Sequence, residues 1–208
     1  VDAGQVGRLQ IRVVSASGAV SATNMNQIMA GTVAPKLSLI KSASSAQAEP
    51  GDAVGFRLRA ANDGNGSAER VETLISGVPG RHVIVRDTLP ANTTFERFDD
   101  HIGAQALMHV RGDPLHQYIT AAPAQLDAID AVAFAYPALA PAQRVNAGFQ
   151  VRLHENAGYR MENQAELFAT KPDGATDRTP SNRVTVALPA NPGVLSYFRD
   201  GGFDLPTG

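Results

Sequence analysis

Apolar and polar side chains alternate in short runs along nearly the whole chain. In Leu9-Gln10-Ile11-Arg12-Val13, Lys36-Leu37-Ser38-Leu39, Ala53-Val54-Gly55-Phe56-Arg57-Leu58-Arg59-Ala60, His82-Val83-Ile84-Val85, Phe149-Gln150-Val151-Arg152-Leu153 and Arg183-Val184-Thr185-Val186-Ala187-Leu188, an extended backbone puts small or apolar groups on one side and polar groups on the other. Successive side chains of a strand point to opposite faces, so period two predicts half-buried strands. Turns separate them at Glu49-Pro50-Gly51-Asp52, Asn62-Asp63-Gly64-Asn65-Gly66, Leu89-Pro90-Ala91-Asn92 and Lys171-Pro172-Asp173-Gly174, where Pro fixes φ and Gly or Asn accepts a positive φ. No window of a dozen residues has the three-and-four spacing of a capped amphipathic helix. Ala121–Ile129 is short and interrupted by Pro123, which predicts a helical turn or two at most. The pattern predicts an all-β protein, an antiparallel β-sandwich.

The chain also resembles itself. Leu9-Gln10-Ile11-Arg12-Val13 followed by Met25-Asn26-Gln27-Ile28 matches Phe149-Gln150-Val151-Arg152-Leu153 followed by Glu162-Asn163-Gln164-Ala165. Residues 1–33 therefore read as the tail strands of a preceding repeat, with a hairpin added to one enlarged domain as the alternative. Residues 34–189 then form one whole unit. Residues 190–208, with Leu188-Pro189-Ala190-Asn191-Pro192 leading to Val194-Leu195-Ser196-Tyr197-Phe198-Arg199-Asp200, read as a linker and the start of a following element.

Composition narrows the function classes. Gly 19 and Pro 13 in 208 residues fall below the roughly 25–30% that marks disorder, so the chain folds. A net charge of −2 without blocks of one sign excludes the basic footprint of a nucleic-acid binder. No apolar stretch approaches the roughly 18–20 residues that cross a bilayer, so no membrane insertion is expected, and Val1-Asp2-Ala3-Gly4 lacks the start of a signal peptide. Cys 0 removes disulfides, thiolate nucleophiles and zinc–sulfur sites. No Gly-x-Ser-x-Gly elbow, phosphate loop or His-Glu-x-x-His is present, and with no Trp a sugar-stacking platform has little to build on, so an enzyme is not expected.

Five segments in order carry a family resemblance. They are Pro35-Lys36-Leu37-Ser38-Leu39-Ile40-Lys41-Ser42-Ala43-Ser44; Glu49-Pro50-Gly51-Asp52 with the strand running to Asn62; Val85-Arg86-Asp87-Thr88-Leu89-Pro90-Ala91-Asn92-Thr93-Thr94-Phe95; Glu162-Asn163-Gln164-Ala165; and Ser181-Asn182-Arg183-Val184-Thr185-Val186. Their order resembles the conserved-repeat domain of bacterial surface proteins, domain of unknown function number eleven, an immunoglobulin-like module. The surplus over the usual unit falls at Ala68–Arg81 and Phe98–Gln125. The resemblance implies an immunoglobulin-like sandwich with an inserted hairpin near 99–125 and flanking extra strands. It also implies an extracellular or cell-surface setting in bacteria, neighbouring repeats of the same chain as partners, a structural spacing or presenting role, and no catalysis or cofactor.

Three constellations stand out. Lys41 is in phase with Leu37 and Leu39, Asp87 with Val83, Val85 and Leu89, and Asn163 with Met161, Ala165 and Leu167, so all three are expected to point inward. Related domains of fimbrial and adhesin shafts carry an internal Lys–Asn isopeptide bond. Here a desolvated Lys41 amine would attack Asn163, its carbonyl polarised by a protonated Asp87; the alternative leaves Lys41 at a wet edge. Secondly, Gln105–Val110 and Leu115–Thr120 read as a hairpin over a four-residue loop, with Val110 opposite Leu115 and His109 opposite His116. Beside Asp99, Asp100, His101 or Asp113, such a His pair has zinc or nickel chemistry, against which a solvated polar pair is favoured, and no metal is expected. Its candidate contact residues are His109, Arg111, Asp113, His116 and Tyr118. An adhesive or ligand-binding module acting through the 99–120 hairpin on a host or biofilm surface ligand is thus the second functional reading. The Arg111-Gly112-Asp113 tripeptide itself is cheap to obtain by chance. Thirdly, Asp63-Gly64-Asn65-Gly66 and Asp173-Gly174-Ala175-Thr176-Asp177 carry oxygen ligands but lack the alternating acids of a calcium loop, and Asn65-Gly66-Ser67 and Asn92-Thr93-Thr94 match the glycosylation sequon.

Overall fold

The computed structural model describes residues 33–155, 158–170 and 174–188, together with the backbone of 6–14 and 21–29. The Lys171-Pro172-Asp173 turn and the 190–208 segment lie outside the described residues. Strands β1 (Val6–Val14) and β2 (Ser21–Met29) form a two-stranded antiparallel sheet of their own, with Leu9 opposite Asn26 and Val13 opposite Ala22.

Thirteen further strands follow in chain order: β3 (Leu37–Ala43), β4 (Ala53–Asn62), β5 (Val71–Ile75), β6 (Val78–Thr88), β7 (Thr93–Phe98), β8 (Gln105–Val110), β9 (Gln117–Tyr118), β10 (Ile129–Tyr136), β11 (Arg144–Leu153), β12 (Arg160–Asn163), β13 (Ala165–Thr170), β14 (Thr176–Pro180) and β15 (Val184–Ala187). A single 3-10 turn, Leu126–Ala128, is the helical structure among the described residues, within the stretch from which a turn or two was expected. One sheet runs β3-β4-β11-β7 and the other β14-β13-β6-β10-β8, while β12 pairs with β15. Between the two sheets lie Val54, Phe56, Leu58, Val145, Phe149 and Val151 from one and Val83, Val85, Val132, Phe134, Tyr136 and Leu167 from the other. The fold is an all-β antiparallel sandwich, as the alternation predicts.

Strand β10, like β5 and β14, is an element that the period-two runs do not reveal. Its sequence, Ile-Asp-Ala-Val-Ala-Phe-Ala-Tyr, is apolar almost throughout because the strand is covered on both faces. Val132, Phe134 and Tyr136 enter the main core, while Ala133 and Ala135 face a second apolar cluster with Val71, Ile75, Ile84, Leu107, Tyr118 and Phe168. That second cluster sits under an added layer made by the two surplus segments. Strand β5 pairs antiparallel with β6 and parallel with β9, so Ala68–Arg81 and the 99–125 insertion meet over the back of the sheet.

The expected hairpin register is corrected by this layer. Strand β8 pairs with β10 rather than with residues 115–120. The contact between the two arms is a single antiparallel bridge, Met108 with Ile119, whose two N–H groups donate to each other's carbonyls at 2.9 Å. That bridge sets His109 opposite Tyr118, two residues away from the expected His109–His116 pair. The cause is burial: Tyr118, 1% exposed, is pulled into the second core, and a longer loop takes up the slack.

A buried polar residue fastens the end of β4. The Asn62 side chain accepts the N–H groups of Lys36 and Gly64 at 3.0 and 3.1 Å and donates to the carbonyls of Gly66 and Leu139 at 2.8 and 3.0 Å. Gly64 in that loop has no room for a side chain, since a Cβ there would lie 2.4 Å from the Ala34 carbonyl oxygen and the Lys36 nitrogen. Asn62→Ala strands four backbone groups, two of them buried, and is expected to lower unfolding free energy by about 3 kcal/mol in urea titration; a loss under about 1 kcal/mol contradicts this account.

Candidate functional site

Lys41 sits in the middle of β3, whose burial alternates so that Leu39 and Lys41 face the other sheet while Ile40 and Ser42 face out. Its side chain is entirely buried, which excludes the wet-edge alternative. The amine lies 4.1 Å from the centre of the Phe56 ring and 5.3 Å from that of Phe149, and Nζ contacts Asp87 Oδ2 directly. The main chain is held as firmly as the side chain. Asn182 Nδ2 donates to the Lys41 carbonyl and the Lys41 N–H donates to Asn182 Oδ1, both at 2.9 Å, so one side-chain amide stands in for a neighbouring strand.

Asp87 lies near the end of β6, on the inward face after Val83 and Val85, opposite Ala165 of β13, and its side chain is also fully buried. Asn163 ends β12, with Met161 and Ala165 buried on either side of it at period two. The Asn163 Oδ1 accepts the Gln164 N–H at 2.8 Å. Asn163 also acts electrostatically as a donor toward the Asp87 carboxyl. Even so, neither Asn163 Nδ2 nor Asp87 Oδ1 has a hydrogen bond of normal geometry, and both atoms are buried.

Burial drives the charges of this cluster toward neutrality. It lowers the Lys41 pKa from its usual value against the opposing pull of Asp87. Burial likewise raises that of Asp87, with Lys41, Asn163 and Arg86 acting the other way. A neutral amine is a nucleophile and a neutral carboxylic acid can donate a proton, so both shifts favour the reactive forms. The three residues come from three strands of three different sheets, β3, β6 and β12, and the packing of those sheets brings them together.

The remaining candidates are dispersed. His109 is 4% exposed; its Nδ1 lies 2.5 Å from Asp130 Oδ1 and its Nε2 3.2 Å from the Pro114 carbonyl. The bulge in β10 between Ile129 and Ala131 accommodates Asp130. His116 instead packs edge-on against Phe168, ring centres 5.0 Å apart, and its pKa is lowered by burial and then by Arg86 and His109. The two imidazoles do not face each other across a hairpin, and both stand against the Tyr118 ring, with centres 5.9 and 6.5 Å from it. Asp99 takes the Gln150 amide at 3.2 Å and offers its carbonyl to His101 Nδ1 at 2.6 Å, away from either of them. No group of three or more metal-ligating side chains occurs among the described residues. Of the expected contact residues, His109 and Tyr118 are core, His116 is half-buried, and Arg111 with Asp113 remains at the tip. Sequence reasoning gave no site role to Gln164, to the Phe56 and Phe149 rings, or to Asn182, which entered only within a family motif.

No family model and no curated protein matches the chain. Among solved structures it is similar to the D312A form of BcpA, the major pilin subunit of Bacillus cereus, with 9% identity and a TM-score of 0.46 over 86% of this chain and 48% of that one. It is also similar to the full-length major pilin SpaD of Corynebacterium diphtheriae (11% identity, TM-score 0.44, 73% of this chain and 35% of that one). A third is the N-terminal domain of the Streptococcus gordonii adhesin Sgo0707 (11%, 0.39, 81% and 35%). The chain spans about half or less of each. Likeness at this level establishes neither a family nor an activity.

In an Asn163→Ala background, Lys41→Met leaves a buried carboxyl without its cation and is expected to cost about 3–5 kcal/mol, most of which a further Asp87→Leu restores. Equal stability of the single and double changes, read by denaturant unfolding, would show that the pair is not coupled.

Proposed function

We propose that residues 34–189 are a structural spacer module of a bacterial surface or secreted protein, locked internally by an amide bond between Lys41 Nζ and Asn163 Cγ. The observation that carries the reading is the buried Lys41–Asp87–Asn163 cluster between the sheets. As a stability device it is poor, because a buried ion pair gains little over apolar packing, and each orphaned polar atom costs about 1–3 kcal/mol. As a reaction centre it is coherent. The Lys41 amine attacks Asn163 Cγ, the Nζ–Cγ bond forms and the Cγ–Nδ2 bond breaks. Asp87, neutral at the start, gives its proton to Nδ2, which leaves as ammonia, and takes one in return from Nζ, so the acid is regenerated with no change in oxidation state. Nδ2, the end of the amide that faces the Asp87 carboxyl, is the atom that departs.

Such a bond ties β3, at the edge of one main sheet, to β12, which pairs with β15 outside both main sheets. That is useful to a module that transmits tension and of little use to one that turns over substrate. The surface setting and the neighbouring repeats rest on the resemblance in motif order. No helix among the described residues is long and apolar enough to cross a membrane. The adhesive reading loses His109 and Tyr118, which are core, and keeps the exposed parts of the insertion, the 111–115 tip with Ile102 and residues 120–127.

Intact mass of the denatured protein is expected to fall short of the sequence mass by one ammonia, with the full mass restored in Lys41→Ala and in Asp87→Ala. A wild-type chain of full mass would rule the bond out.

A further inference from the structure

Asn163 meets the backbone of its own neighbour at a corner of the fold. Its strand, β12, pairs with β15, whereas the next strand, β13, pairs with β6 and β14. Gln164 stands between the two and belongs to neither, so its N–H is spared from the ladder and donates at 2.8 Å to Asn163 Oδ1. Two further bonds fix the corner. Gln164 Nε2 donates to the Ser181 carbonyl at 2.6 Å, and the Ala165 N–H donates to Ser181 Oγ at 3.0 Å.

This contact orients the amide. Only an oxygen can accept the Gln164 N–H; a reversed amide would set two donors against each other. Oδ1 is therefore held at the corner, and Nδ2 is the end turned toward the Asp87 carboxyl, without a hydrogen bond of normal geometry. During attack on Cγ, negative charge develops on Oδ1, the atom the N–H already faces. A donor fixed before the reaction stabilises that charge without reorganising, and removing one such donor costs about 10²–10³ in rate.

We infer that the main-chain N–H of Gln164 is the oxyanion donor for formation of the Lys41–Asn163 bond and selects Nδ2 as the leaving group. The inference rests on the cross-link proposed above and goes beyond it by naming a catalytic group that is not a side chain. It also leaves Asp87 free to act on the proton rather than on the carbonyl oxygen.

Two variants separate the backbone from the side chain. Gln164→Pro removes the N–H while asking of Asn163 only the extended backbone favoured before proline. Gln164→Ala keeps the N–H and loses the bond to Ser181. With ammonia loss followed by intact mass after cell-free synthesis, Gln164→Pro is expected to form the bond about a hundredfold more slowly than wild type, and Gln164→Ala at close to the wild-type rate. Equal rates for the two variants overturn the oxyanion assignment while leaving the cross-link intact; a wild type that never loses ammonia overturns the cross-link itself. Should Gln164→Pro fail to fold, amide exchange in the Lys41→Met chain decides. The Gln164 amide proton is expected to be protected, with the protection lost in Lys41→Met/Asn163→Ala, and exchange as fast as that of open-loop amides overturns the assignment.

Discussion

A primary amine wedged between two phenylalanine rings and a carboxyl is the constraint on which the rest of the sandwich depends. Water is excluded from Lys41 by Phe56 and Phe149, whose ring centres lie 5.4 Å apart, and its charge is met by Asp87 from the opposite sheet. An uncompensated charge in that position would cost several kcal/mol, so the spacing of the two sheets and the phase of β3, β6 and β12 are fixed together. Moving any one strand by a single residue would turn its member of the cluster out to solvent. The polar anchors around it serve the same registration: Asn182 on β3, Ser181 and Gln164 at the β12–β13 corner, and Asn62 at the end of β4.

Strands with one wet face were legible from the sequence because period two reports a difference between two sides. In β4 and β11 buried and exposed positions alternate, and the inward phase of Lys41, Asp87 and Asn163 follows from the same reasoning. Strand β10 escaped it for the opposite reason. Once an extra layer covers the outer face, both sides are apolar and the alternation disappears. The hairpin register failed at a related point. A count of residues between two runs treats the turn as local, but Tyr118 answers to a core assembled from β5, β6, β8, β10 and β13.

What remained invisible in the chain is the work done by main-chain atoms. Nothing about the letter Gln at position 164 announces that its N–H is unclaimed by a sheet; that follows from the chain changing partners between β12 and β13. Side-chain chemistry can be searched for by residue type, whereas backbone chemistry emerges only with topology. The proposed reactive centre therefore divides into a part written in residue identity, Lys41, Asp87 and Asn163, and a part written in connectivity.

The Asn182 amide carries one more consequence. A free strand border with unanswered N–H and C=O groups is a template on which a second molecule can add, the usual route to fibrous aggregation. By satisfying both groups of Lys41 with one side chain, Asn182 blunts that border at its centre without adding a strand. A protein displayed at high local density gains from this plug, because crowded copies lying side by side find no open ledge there on which to stack.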